Sequence, residues 1–202
     1  MSADRPEPPG VTPRKGASGS ARRLTISPIG FDLVLALSQA PTGLRLAELA
    51  HTIGSPVSSV QTALRVLLAN GLVVRLAEDP PRYVLSAEHP ASAELASLAT
   101  VLPEPERALG IIFRASPAIA FAGVDGVGFI IAVDDAHPAT LLLDRHLSLV
   151  GAARPTTPNV LRMSTPEFGR MLRVSIGVRA RVRDAVVLRG SALGNPAGRA
   201  AG

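Results

Sequence analysis

Two helical stripes separated by three residues dominate the stretch from Leu44 to Arg75. LRLAELAHTI places Leu46, Leu49, Ala50 and Ile53 at the i, i+3, i+4, i+7 spacing of one buried helix face. VSSVQTALRVLLA follows with an apolar stripe of Val57, Val60, Leu64, Leu67 and Leu68. Between them stand Gly54, Ser55 and Pro56. Glycine ends the first helix, serine can cap the free amides of the second, and proline tolerates the first helical position. The chain therefore turns sharply between two helices. Asn70-Gly71 supplies a left-handed stop, after which LVVRLA and RYVLSA, joined by EDPP, have the pattern of a hairpin with a proline-bearing tip.

Upstream, GFDLVLALSQA predicts a further short helix, with Phe31, Val34, Leu35 and Leu37 on one side and Pro41 as its stop. Helix, helix, sharp turn, helix, hairpin is the order of a winged helix-turn-helix. The segment LRLAELAHTIGSPVSSVQTALRVLLANGLVVR resembles the winged-helix domains of bacterial transcriptional regulators of the ArsR, MarR and IclR type, which share its scaffold helix, glycine turn, serine-capped helix and GLV entry into the wing. The resemblance implies that the helix from Pro56 to Ala69 lies in the major groove of double-stranded DNA and that the hairpin touches a flanking minor groove or phosphates. It also implies a homodimer on two half-sites.

The side chains beside the apolar stripe suit that role. Ser58, Ser59, Gln61, Thr62 and Arg65 are short polar or bidentate groups, and glutamine to adenine and arginine to guanine are good major-groove pairings. Ser55 could present its hydroxyl and nearby amides to a phosphate. Arg45, Arg75 and Arg82 are candidates for further phosphate contacts. A competing reading makes the winged helix a protein-contact or dimerisation module, because residues 25–87 carry no net charge: these three arginines and Arg65 are offset by Asp32, Glu48, Glu78 and Asp79.

The basic excess lies elsewhere. Of the total of +5, residues 1–24 contribute +3 and the remainder after residue 87 contributes +2. Residues 1–24 mix proline, glycine, serine and charge with few large apolar residues, and are expected to form a disordered basic arm. Lys15 is the only lysine in the chain, and a GC-rich genome explains that bias as well as function does.

Downstream, ASAELASLATVL predicts a helical linker and PEPERALGIIFRAS an amphipathic helix starting just beyond Pro105. PAIAFAGVDGVGFIIAVDD has two apolar runs around a glycine-rich turn, a hairpin of core strands. ATLLLDRHLSLVG predicts a helix, NVLRM a strand, TPEFGRMLRVS a capped helix and AVVLRG a final strand, an alternation that implies a layered α/β unit. Arg179, Arg181 and Arg183 alternate with Val178, Ala180 and Val182, which admits an edge strand, a second nucleic-acid contact or a solvated loop.

This order of segments is similar to that of the minimal nucleotidyltransferase domains found with winged helices in prokaryotes, with AIAFAGVDGVGFIIAVDD in the place of the active-site hairpin and NVLRMSTPEFGRML and VVLRGSAL after it. In that family a Gly-Ser holds nucleotide phosphates and an Asp-x-Asp pair holds magnesium. Here Val124 and Asp125 follow Gly123, and Val127 and Phe129 stand where the carboxylates would align. An apolar pair cannot bind a divalent cation. Asp134 and Asp135, at the far end of the strand, are expected to cap the next helix or to sit in solvent.

Other chemistry has little to work with. There is no cysteine, and His51, His89, His137 and His146 show no metal-ligand spacing and read as ordinary surface or partly buried histidines. No apolar run approaches the ~20 residues a bilayer needs, so a cytoplasmic protein without membrane contact is expected. The expected fold class is α+β: a disordered arm at 1–24, a winged helix-turn-helix at 25–88, a helical linker at 89–103, a small α/β nucleotidyltransferase-like domain at 104–192 and a flexible tail at 193–202. The expected function is sequence-specific regulation of transcription. The C-terminal unit would sense a small-molecule ligand, contact a protein or dimerise, with no catalytic residue, metal ligand or cofactor assigned. The alternatives are a divergent nucleotidyltransferase recruited by its winged helix and an antitoxin-like protein-binding module.

Overall fold

A computed structural model describes residues 25–153 and 158–191; the expected arm at 1–24 and tail at 193–202 lie outside the described residues. The chain begins with α1 (Pro28–Gln39), β1 (Leu44–Arg45), α2 (Leu46–Ile53), α3 (Val57–Ala69) and the hairpin β2 (Val73–Arg75) and β3 (Arg82–Leu85). It continues through α4 (Ser92–Val101), α5 (Pro105–Ala115), β4 (Ile119–Asp125), β5 (Gly128–Val133), α6 (Thr140–Ala153), β6 (Val160–Ser164), α7 (Thr165–Val174), α8 (Ile176–Asp184) and β7 (Val186–Arg189).

Helix α1 starts where Ser27 accepts a hydrogen bond from the Gly30 amide and Pro28 occupies the first turn. The expectation of a single apolar side is corrected here. Leu33, Val34, Leu35, Ala36 and Leu37 are all buried, because α2 and α3 pack on the helix from one direction and α4 and α5 from another. A helix apolar all round has to be central.

Two further expectations are revised in the first unit. Leu44 and Arg45 form a two-residue strand that pairs antiparallel with Tyr83 and Arg82, giving a three-stranded sheet in the order β1-β3-β2, and α2 begins only at Leu46. Ser55 does not cap α3: Pro56 is the residue before the helix and no side chain bonds its first amides. Gly54 makes the turn in the left-handed region at φ 65, its amide donating to the Ala50 and His51 carbonyls.

The predicted linker is α4, which packs against α1 and α6. One core cluster consequently runs from Leu33 through Leu72, Ala99 and Ile112 to Ile131 and Val150. Across it, Asp32 of α1, 2% exposed, holds Arg107 of α5 at 2.5 Å.

The second sheet has the order β6-β5-β4-β7. Strands β4 and β5 form an antiparallel hairpin closing at Asp125 and Gly128, β6 lies parallel to β5 after the α6 crossover, and β7 lies antiparallel to β4. Strand β5 is buried on both faces with period two: Phe129, Ile131 and Val133 join the core shared with α5, whereas Ile130 and Ala132 join Phe121, Met163, Phe168, Val178 and Val182. Phe113 meets Phe129 edge-on at 5.2 Å and Phe121 stacks on Phe168 at 5.0 Å, one pair for each face. Gly128 sits at φ 141, where an added Cβ would lie 2.2 Å from the Asn159 carbonyl that accepts the Phe129 amide. Only glycine lets β6 begin there.

The arginine-rich segment is the helix α8 and not a strand or loop. The Ser175 hydroxyl accepts from the Val178 amide to start it, and Val178 and Val182 are buried one turn apart.

Candidate nucleic-acid interface

Helix α3 is fixed by Val60, Ala63, Leu64 and Leu67, all buried against the first unit's core. Those positions leave the opposite stripe, Ser58, Gln61, Thr62 and Arg65, exposed along about two turns of a 13-residue helix. Among the described residues no hydrogen bond or ion pair engages the side chains of Gln61 and Arg65. Their donors and acceptors are free for an external partner.

The other predicted residues divide. Thr62 turns its hydroxyl back to the Ser58 carbonyl at 3.0 Å. Ser59, half-buried, joins Thr62 and Val66 in lining an apolar groove of about 440 Å³ against the start of α1. Ser55 is half-buried in the turn. Arg75 is exposed on β2, and Arg45 is exposed on β1 with its amide donating to Glu48 at 2.7 Å. Arg82 is committed within the protein, since one guanidinium nitrogen donates to the Gly43 carbonyl at 2.8 Å and another lies 3.3 Å from Glu78. The structure thus gathers Ser58, Gln61, Thr62 and Arg65 on one face and draws Arg82 inward.

Residues 29–77 match the IclR helix-turn-helix domain. The match runs from α1 to just past β2 and ends before the second wing strand, so it takes in α2, the turn at Gly54 and the whole of α3. It supports a DNA-binding transcriptional regulator. No curated protein and no solved structure matches the chain. Among the described residues no helix is long and apolar enough to cross a membrane, and no three histidine or carboxylate side chains gather as a metal site.

The charge balance of the IclR-type unit changes once folded. Asp32 counts toward the zero sum of residues 25–87, yet it is buried and neutralised by Arg107 on the far side of α1. Arg45, Arg65, Arg75 and Arg82 then outnumber the three remaining carboxylates, Glu48, Glu78 and Asp79, leaving the unit's surface net positive by one. Counting along the sequence cannot reveal this, because Arg107 stands 75 residues from its partner.

In the second unit, the carboxylate closest to the expected nucleotide loop is already occupied. Asp125 accepts from the Val127 and Gly128 amides at the hairpin tip and from two nitrogens of Arg181, the shorter bond at 2.6 Å. The Arg181 guanidinium holds the carboxyl down at a pKa of about 2. Asp135 instead bridges to Arg162, while Asp134 accepts from the Ala136 amide in the loop before α6.

Proposed function

We propose that this protein is a transcriptional regulator that reads double-stranded DNA through α3, with Gln61 and Arg65 contacting base edges and Ser58 and Thr62 completing the reading face. The observation that carries the proposal is the unengaged Gln61–Arg65 stripe inside the segment that matches the IclR helix-turn-helix domain. The first-turn amides of α3, which no side chain caps, suit a phosphate beside Ser55. Arg45 and Arg75 add phosphate contacts that position the helix without specifying sequence. Binding is as a homodimer on two half-sites, the usual arrangement for helix-turn-helix regulators.

The second unit, on this reading, is a nucleotidyltransferase-like layer used for ligand sensing or dimerisation and not for catalysis. Its support is the hairpin, crossover helix and parallel strand, combined with an Asp125 committed to Arg181 and apolar Val127 and Phe129 at the aligned carboxylate positions.

Selection of genomic DNA fragments by the purified protein, at low and at near-physiological salt, tests the reading. A palindromic motif that survives the higher salt is expected. Gln61→Ala and Arg65→Ala should each lose about 1–3 kcal/mol of discrimination at one base position. Arg75→Ala should weaken binding on every sequence and lower the salt slope by about one. Uniform loss of binding with salt and no recovered motif would instead make the winged helix a protein-contact module.

A further inference from the structure

A cleft of about 290 Å³ lies where the two units meet, walled by the chain before β1, by α2, by the end of α5 and by β7. Three arginines from distant parts of the sequence line it: Arg82 from the wing, Arg114 from α5 and Arg189 from β7. Arg82 has Glu78 as counter-charge, but Arg114 and Arg189 have no carboxylate partner among the described residues. Arg114 donates to the Thr52 carbonyl at 3.1 Å, and Arg189 donates to the Ile119 carbonyl at 2.8 Å and the Arg114 carbonyl at 2.6 Å.

Carbonyl contacts orient a guanidinium without cancelling its charge. Each guanidinium has five N–H donors in a planar fork, so Arg114 and Arg189 retain donors beyond those bonds. Burial lowers the pKa of both, the expected mark of a cation drawn out of water with no anion to replace the lost hydration. Glu48 also lines the cleft, but it is exposed and its carboxylate accepts the Arg45 amide. The cleft therefore has an excess of positive charge and forked donors, in a volume at the lower end of small-ligand sites.

We propose that this cleft binds a small oxyanion, a phosphate or carboxylate group, held by Arg114 and Arg189 with Arg82 at its rim. The binding step does not depend on base reading by α3. Because its walls come from both the wing sheet and β7, an occupant would tie the DNA-facing unit to the second sheet. The same chemistry could be met by a free metabolite anion or by a DNA backbone phosphate.

The test uses the full chain and inorganic phosphate, titrated at constant ionic strength against chloride, read by calorimetry and thermal denaturation without DNA. Saturable heat and a rise in Tm with phosphate alone are expected. Arg114→Gln should weaken that binding about tenfold or more, whereas Arg183→Gln, a loss of the same charge on α8, should leave it unchanged. If Arg114→Gln fails to fold by circular dichroism, Arg82→Gln is read in its place, with weakening again expected. Phosphate and chloride acting alike, or the cleft variant binding phosphate as tightly as the unaltered chain, would overturn the proposal. The source is then separated with a nonspecific duplex. If the cleft takes a DNA phosphate, Arg114→Gln lowers the salt slope of duplex binding by about one and phosphate competes with the duplex. If it takes a free anion, that slope is unchanged while the phosphate titration still loses its saturation.

Discussion

His146 shows how one buried side chain sets a pH response. Only 3% exposed on α6, it lies 2.6 Å through Nδ1 from the Thr100 hydroxyl, which itself donates to the Ala96 carbonyl. A hydroxyl has one proton, so with the Thr100 proton given to Ala96 the imidazole donates through Nδ1. Burial, with a smaller contribution from the neighbouring Arg145 charge, pushes its pKa down to about 4 from the ordinary 6.5. The unfolded chain then binds more protons between those values, so stability rises with pH across that window. The contribution is fully present above pH 6.5 and is lost as pH falls toward 4. Urea denaturation should show a loss of about 2 kcal/mol between pH 7 and pH 5. His146→Leu should lower stability at pH 7 but remove most of that loss; an equally steep fall in the variant would assign the pH response to other groups. This behaviour was invisible in the sequence. A lone histidine in an amphipathic segment has no stated depth until α4 is known to pack on α6.

At the scale of elements, Asp125 joins the β4–β5 hairpin tip to α8. Its carboxylate closes the turn through two amides and holds Arg181 at 2.6 Å, with 7% of the aspartate side chain and 22% of the arginine side chain exposed. Asp125→Ala removes both jobs and leaves a mostly buried guanidinium without its anion, so denaturant unfolding should show a loss of about 3 kcal/mol. Asp125→Asn keeps an acceptor for the turn amides and should cost less. Equal losses in the two variants would mean that the ion pair, and not the turn, carries the whole effect. The hairpin itself was legible in its two apolar runs and glycine-rich turn, but α8 was not. Val178, Ala180 and Val182 fit a period of two, yet Val178 and Val182 are also one helical turn apart, so periodicity alone could not choose. The choice is made by the Ser175 cap and by partners for the arginines that lie on other elements, including Asp125 and the Leu172 and Arg173 carbonyls. The two helices around Gly54 were legible for the opposite reason: their stripes and punctuation are local, and packing confirmed the bias already present in the chain.

For the whole molecule, the central placement of α1 decides whether the two units behave as one. Its apolar residues belong to the same core as α5 and β5, and the Asp32–Arg107 pair crosses that junction. Separating the units would expose Leu33, Val34 and Leu35 to water, at roughly 25 cal/mol for each Å² uncovered. A single cooperative unfolding transition should result. Tyr83, the only tyrosine in a chain with no tryptophan, sits on β3 and reports the winged unit by its fluorescence, while far-UV circular dichroism reports all the helices. The two melting curves should coincide. The latch itself is asymmetric, since Asp32 is 3% exposed by side chain and Arg107 is 51% exposed. Arg107→Ala strands a buried carboxylate and should cost about 3 kcal/mol, whereas Asp32→Ala leaves an arginine that water can reach and should cost less. In both variants Tyr83 and the helical signal should still melt together, at a lower temperature. A Tyr83 transition that separates from the dichroism signal in the unaltered protein would show that the shared α1 core does not couple the units, and would leave any anion in the arginine cleft without a rigid path to α3.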